Sequence, residues 1–148
     1  MSTDDILARY AARVGYGPRE LAALPPDDPR VRHIHRLARA APLYSIRAEV
    51  VAARHCNSGY QVGDSFILDV DGNFIAKLCP QRLCVYLMSQ MVLPVALINE
   101  RLSEGLEPGA FHFVRQLSCP DQGVECAGYG QVRLAVSVAP RGGAQARP

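Results

Sequence analysis

The run CPQRLCVYLMSQMVLPVALI, residues 79–98, decides the fold. From residue 84 to residue 98 it carries no charged side chain. Its apolar residues fall on nearly every side of a helix of 3.6-residue period, which predicts a central helix buried on several sides. Pro80 suits a first helical position and would place Cys79 at the cap. Pro94 has no amide donor and predicts a kink or restart, with residues 95–102 as a second segment ending at Gly105. The stretch is too short for a membrane span, which needs about 18 or more uninterrupted apolar residues.

Working toward the N-terminus, Asp71-Gly72 is a hairpin signal between two extended runs, residues 65–70 and 73–78. Before it, residues 43–55 alternate, with Tyr44, Ile46, Ala48 and Val50 on one side of a strand. Residues 1–43 are helical in pattern. Ser2 and two carboxylates precede Ile6, Leu7, Tyr10, Ala11 and Val14 at helical spacing, and Gly15 and Gly17 stop the run. Pro18 opens a short turn, and Asp28-Pro29 supplies a cap and first position for a helix over residues 29–41. That helix sets Val31, Ile34, Leu37, Ala38 and Ala41 inward and Arg32, His35, Arg36 and Arg39 outward. Toward the C-terminus, residues 111–117 and 131–139 read as strands, the second alternating Val132, Leu134, Val136 and Val138 with Arg133 and Ser137. The expectation is an α+β domain over residues 44–140, with a small antiparallel sheet of about four strands packed on a buried central helix. Residues 1–43 form an N-terminal helical arm, and residues 141–148 a disordered tail.

A chain of 148 residues is long enough to bury a sizeable core without disulfides. The formal net charge is +2 and Lys77 is the only lysine. This offers no strong field for nucleic acid or an anionic membrane. The first residues lack a basic segment, an apolar run and a small-residue cleavage site, so a reducing, cytoplasmic setting is expected for the thiols. No phosphate loop, dinucleotide fingerprint, nucleophile elbow or His-Glu metalloprotease motif is present. Asp64, Asp69, Asp71 and Asp121 fall in turn contexts and read as turn residues rather than acid–base pairs.

The five cysteines are the residue set that points to chemistry. His55-Cys56 ends the first strand, Cys79 and Cys84 flank the start of the central helix, and Cys119 and Cys126 bracket a turn. Turn-placed cysteines can converge on a metal ion, whereas core cysteines fall inside elements, a description that suits Cys84 best. Neither Cys79-x4-Cys84 nor Cys119-x6-Cys126 is the tight knuckle of a zinc ribbon. Cys56, Cys79, Cys84, Cys119, Cys126 and His55 are the candidate metal ligands. A thiol at a helix N-terminus has a depressed pKa, so Cys79 is also a candidate nucleophile or redox thiol, with His55 the best-placed base.

The order Cys56, Gly63-Asp64-x-Phe66, Cys79, Pro94-x-x-Leu97, Cys119-Pro120-Asp121 and a final alternating strand resembles a family of small, uncharacterised bacterial and archaeal proteins. That family is common in anaerobes and is built on short cysteine-containing units. The resemblance covers about residues 46–140. It implies Cys56, Cys79 and Cys119 as the shared positions, with Cys84 and Cys126 additional. Three thiolates and a fourth ligand would complete a zinc site or, as the alternative, hold an iron–sulfur cluster. The expected function is a metal-binding accessory or non-catalytic subunit acting with a larger enzyme, in line with the family's anaerobic distribution. A thiol-dependent enzyme using Cys79 and a metal-free protein-interaction module are the alternatives. A protein partner or a homo-oligomer is expected.

Overall fold

The computed structural model describes residues 2–141, and the expected tail beyond Arg141 lies outside them. Three helices come first, α1 (Thr3–Val14), α2 (Pro18–Ala22) and α3 (Pro29–Ala40). Each start follows from its cap. The Ser2 hydroxyl accepts from the Asp5 amide while the Asp5 carboxylate accepts from the Ser2 amide, and Gly15 ends α1 in the left-handed region at φ 82°. Asp28 accepts from the Arg30 amide at 2.8 Å with Pro29 at the first helical position. The Arg30 side chain and amide hold the Asp28 carboxyl down at about 2.

The sheet has four strands, β1 (Tyr44–Arg54), β2 (Ser65–Leu68), β3 (Gln116–Ser118) and β4 (Gln131–Pro140), in the order β2-β1-β4-β3, every neighbour antiparallel. Ile46, Ala48 and Val50 of β1 pair across to Leu68 and Phe66 of β2 and to Val136 and Leu134 of β4. These residues are all buried and make one apolar face. Against it lie α4 (Val85–Ser89) and α5 (Val92–Ser103), which together with Met91 between them contribute Leu87, Ile98 and Leu102 to the same core. The α+β architecture read from the sequence is the one observed. The N-terminal helices close the domain, because α3 packs on α5 and adds Leu37 and Ala40 to that core, while α1 packs on α3. Ala40 takes the inward position that the spacing assigned to Ala38 and Ala41. No described helix is long and apolar enough to cross a membrane.

The differences from expectation lie at element ends. The hairpin turn forms, with the Asp69 amide donating to the Asn73 carbonyl and the Asp69 carboxylate accepting from the Asn73 amide, both at 2.9 Å. Its second arm makes only the Leu68–Phe74 bridge and an Ile75 amide bond to Ile67 before a 3₁₀ turn at Ala76–Leu78, so residues 73–78 are not a strand. The third strand starts at Gln116 rather than near residue 111. Val114 stands at φ 54°, a left-handed conformation that is costly for a β-branched residue and breaks the extended run.

The central helix begins at Val85, five residues later than Pro80 suggested, with Cys84 rather than Cys79 at its cap. The break that Pro94 imposes falls at Gln90 and Met91. Residue 90 is four before the proline, where the ring would strike the carbonyl and the missing amide would have bonded. Pro94 itself lies within the first turn of α5, where amides have no intrahelical acceptor. The helix is also not buried all round: Leu87, Met91, Pro94, Ile98 and Leu102 are buried, but Val85, Tyr86, Val92 and Leu93 are exposed.

What sets the helix start is Tyr60. Its ring is buried edge-on to Phe66, with centroids 5.2 Å apart. Its hydroxyl donates to the Arg82 carbonyl and accepts from the Cys84 amide, both at 2.8 Å. Burial pushes this phenol above its ordinary value. Replacing Tyr60 with Phe keeps the ring but leaves both backbone groups without a partner. Urea unfolding is expected to show a loss of about 1–3 kcal/mol, with the far-ultraviolet spectrum of the fold retained. An unchanged midpoint would show that the hydroxyl does not hold the helix start.

Candidate functional site

A cleft of about 930 Å³ opens at one end of the sheet, and three of the four chain segments that line it carry a thiol. Residues 55–58 follow β1, residues 119–121 follow β3, and residues 84–86 start α4. Each segment contributes one thiol: Cys56, Cys119 and Cys84 all line the cleft. His55 lines it too, and it stands in the left-handed region at φ 52°, which turns the chain at the end of β1. Tyr86 and Tyr129 add aromatic rings to the walls.

The far wall is a loop wound on Asp121. One carboxylate oxygen accepts from the amides of Gly123 and Tyr129, both at 3.0 Å, and the other from Tyr129 and Gly130, both at 3.1 Å. The loop can close so tightly only because two of its residues lack side chains. A Cβ at Gly128 would lie 1.9 Å from an Asp121 oxygen, and one at Gly130 would lie 2.2 Å from the His55 carbonyl. An Arg54–Glu125 ion pair at 3.0 Å ties the loop to β1 from the solvent side, where such pairs contribute little.

Asp121 and two polar groups beside the cleft are already engaged in holding the fold. Asp121 satisfies three loop amides, the Tyr60 hydroxyl bridges Arg82 and Cys84, and the Cys119 amide extends the ladder to the Val132 carbonyl at 2.8 Å. The cleft presents sulfur and aromatic surface together with the side chains of His55, Asn57 and Ser58.

The six sequence-derived site residues divide. His55, Cys56, Cys84 and Cys119 come together on the cleft. Cys126 sits exposed in the Asp121 loop, in a 3₁₀ turn at Val124–Cys126, and does not line the cleft. Cys79 is set apart, because its Sγ accepts from the Ile67 amide at 3.3 Å and donates to the Ile67 carbonyl at 3.4 Å. It stands at the C-terminal end of the Ala76–Leu78 turn in extended backbone, so no helix N-terminus stands behind it. A Cys79 thiolate activated by a helix and paired with His55 is not assembled, since the helix begins at Val85. Among the described residues no group of three or more His, Cys, Asp or Glu side chains stands close enough to hold one metal ion.

Comparison with known proteins finds no matching family model, no similar curated protein and no similar solved structure. The motif-order resemblance thus stands on the residues quoted for it alone.

Tyr86 and Tyr129 are site residues that the sequence did not mark, because a tyrosine beside a turn carries no signal of its own. Asp121 was legible as a turn residue, and the structure adds which amides it binds. Those hydrogen bonds hold its carboxyl below the ordinary aspartate range. A depressed carboxyl contributes stability that is fully present above the unfolded value, about 3.9, and is lost as pH falls through the lower folded value. In an acid titration followed by NMR, the amide signals of Gly123, Tyr129 and Gly130 should move together with one midpoint below that of a free aspartate. In Asp121→Asn the shared transition should vanish. Independent midpoints for the three amides would count against a single carboxylate organising the loop.

Proposed function

We propose that the chain is a small non-catalytic accessory module whose cleft receives an extended, apolar or aromatic segment of a larger protein. The observation that carries this reading is the lining: three thiols and two tyrosine rings surround the cleft, while Asp121 and the neighbouring Tyr60 hydroxyl are bound into the fold. A site of this volume with rigid aromatic walls suits side chains that gain by leaving water. Tyr129 is the candidate anchor, since it is largely exposed and its amide is fixed to Asp121. A ring on a fixed backbone loses little freedom on binding.

Selection of a random linear peptide library on the immobilised chain tests this reading. Binders rich in aromatic and aliphatic residues are expected, and Tyr129→Ala should weaken them by about tenfold or more, as loss of an anchor ring does. Bound peptide should also slow alkylation of Cys56, Cys84 and Cys119 while leaving the exposed Cys126 as reactive as before. Binders indifferent to both Tyr129→Ala and alkylation of the cleft thiols would overturn the proposal.

A second reading is favoured by the gathering of three thiols on one cleft. Sulfur donors select soft ions, so Cys56, Cys84 and Cys119 are the set that would take zinc, with His55 nearest as a fourth ligand. An iron–sulfur cluster would draw on the same thiols. Either ligand requires the cleft walls to draw inward from the arrangement described above. Equilibrium dialysis against zinc should then give one ion per chain, lost in Cys84→Ser and retained in Cys79→Ala. Retention in Cys84→Ser, or absence of stoichiometric zinc in the wild type, rejects this ligand set.

A further inference from the structure

We propose that a second cavity, between α1, α3 and the turn at residues 69–73, binds a short apolar peptide with both ends free. The cavity holds about 490 Å³, within the range of small-molecule sites. Its floor is apolar, since Ile6 of α1 and Ile34 and Leu37 of α3 line it and are buried. Its rim is charged. Arg9 and Arg13 come from α1, His33 from α3 and Asp71 from the turn. The Arg13 guanidinium lies over the Tyr10 ring, 5.3 Å from its centroid, which orients the cation without neutralising it. Among the described residues neither Arg13 nor Asp71 forms an ion pair, with each other or with any other group. A cation and an anion thus rim one apolar floor, farther apart than an ion pair.

A hydrogen-bond chain through α5 fixes the third polar group. The Asn99 side chain donates to the Val70 carbonyl at 2.6 Å, and the Ser103 hydroxyl donates to the Asn99 carbonyl at 3.0 Å. Ser103 also bonds His33 Nδ1. A hydroxyl has one proton, and that of Ser103 goes to Asn99, so His33 Nδ1 carries the ring proton and donates to Ser103. The neutral ring then offers Nε2 as an acceptor in a side chain that lines the cavity. The same chain of bonds holds Val70, the residue before Asp71, so His33 and Asp71 share one support. An ammonium has donors only, and the Asp71 carboxylate and His33 Nε2 are acceptors for it; a carboxylate has acceptors only, and Arg13 is a donor for it. A ligand of single charge leaves one of these groups unmatched, and an α-amino acid carries both charges on one carbon. A short peptide separates them by an apolar body that covers Ile6, Ile34 and Leu37. The cavity and the thiol cleft share no residue, and they lie at opposite ends of β1, with Ala41 before the strand lining one and His55 after it lining the other.

Isothermal titration of the full chain with leucyl-leucine should give one site per chain. Acetylating the amine of the dipeptide and amidating its carboxylate should each weaken binding by about tenfold or more, as loss of a charged partner does. Asp71→Asn should weaken the free dipeptide to a similar degree and add nothing to the loss caused by acetylation. Arg13→Ala should behave in the same way toward amidation. Both positions are exposed, and the circular dichroism spectra of both variants should match the wild type. Tyr129→Ala, in the thiol cleft, should leave the affinity unchanged. No binding by the wild type, equal binding of the capped dipeptides, or an affinity indifferent to both Asp71→Asn and Arg13→Ala would each overturn the proposal. Binding lost in Tyr129→Ala alone would put the dipeptide in the thiol cleft, which overturns this site and leaves the function proposed above standing.

Discussion

The Tyr60 hydroxyl holds the Arg82 carbonyl and the Cys84 amide at once, and the placement of the central helix depends on that clamp. The ring is fixed by burial against Phe66 of β2, so the helix start is referenced to the sheet rather than to its own sequence. Pro80 does not start the helix; the Tyr60 hydroxyl instead bonds two part-buried backbone groups just ahead of Val85. Five residues of delay move Cys84 from the helix interior to its cap and into the cleft, and they leave Cys79 beside β2.

A second local device works in the same way on the opposite wall. Asp121 gathers the amides of Gly123, Tyr129 and Gly130, and Gly128 and Gly130 allow the backbone to approach it. The loop between β3 and β4 is therefore rigid where it faces the cleft. With Asp121 and the Tyr60 hydroxyl bonded within the fold, sulfur and aromatic carbon, together with His55, Asn57 and Ser58, make up the surface of the cleft.

The helical segment formed by α4 and α5 faces two ways. Its inner side completes the core with the sheet and with Leu37 and Ala40 of α3, and on its outer side Val85, Tyr86, Val92 and Leu93 are exposed among the described residues. A sequence apolar on all sides is read as a buried helix because only a protein core usually tolerates it. The same pattern arises here with one side on the core and the other exposed, and periodicity cannot separate the two.

Periodicity and punctuation determined the elements that own their signals. Ser2 with Asp5, Asp28-Pro29, the alternation of Ile46, Ala48 and Val50, and that of Val132, Leu134 and Val136 gave α1, α3, β1 and β4, because caps and period-two burial are local or depend on one face alone. Only the tertiary structure decided the rest. Strand 116–118 is short because Val114 is left-handed, the helix starts at Val85 because of Tyr60, and Cys56, Cys84 and Cys119 share a cleft while Cys79 bonds to Ile67. Each of these depends on a contact between residues distant along the chain or on a backbone conformation that its surroundings impose. Neither leaves a mark in the spacing of residue types.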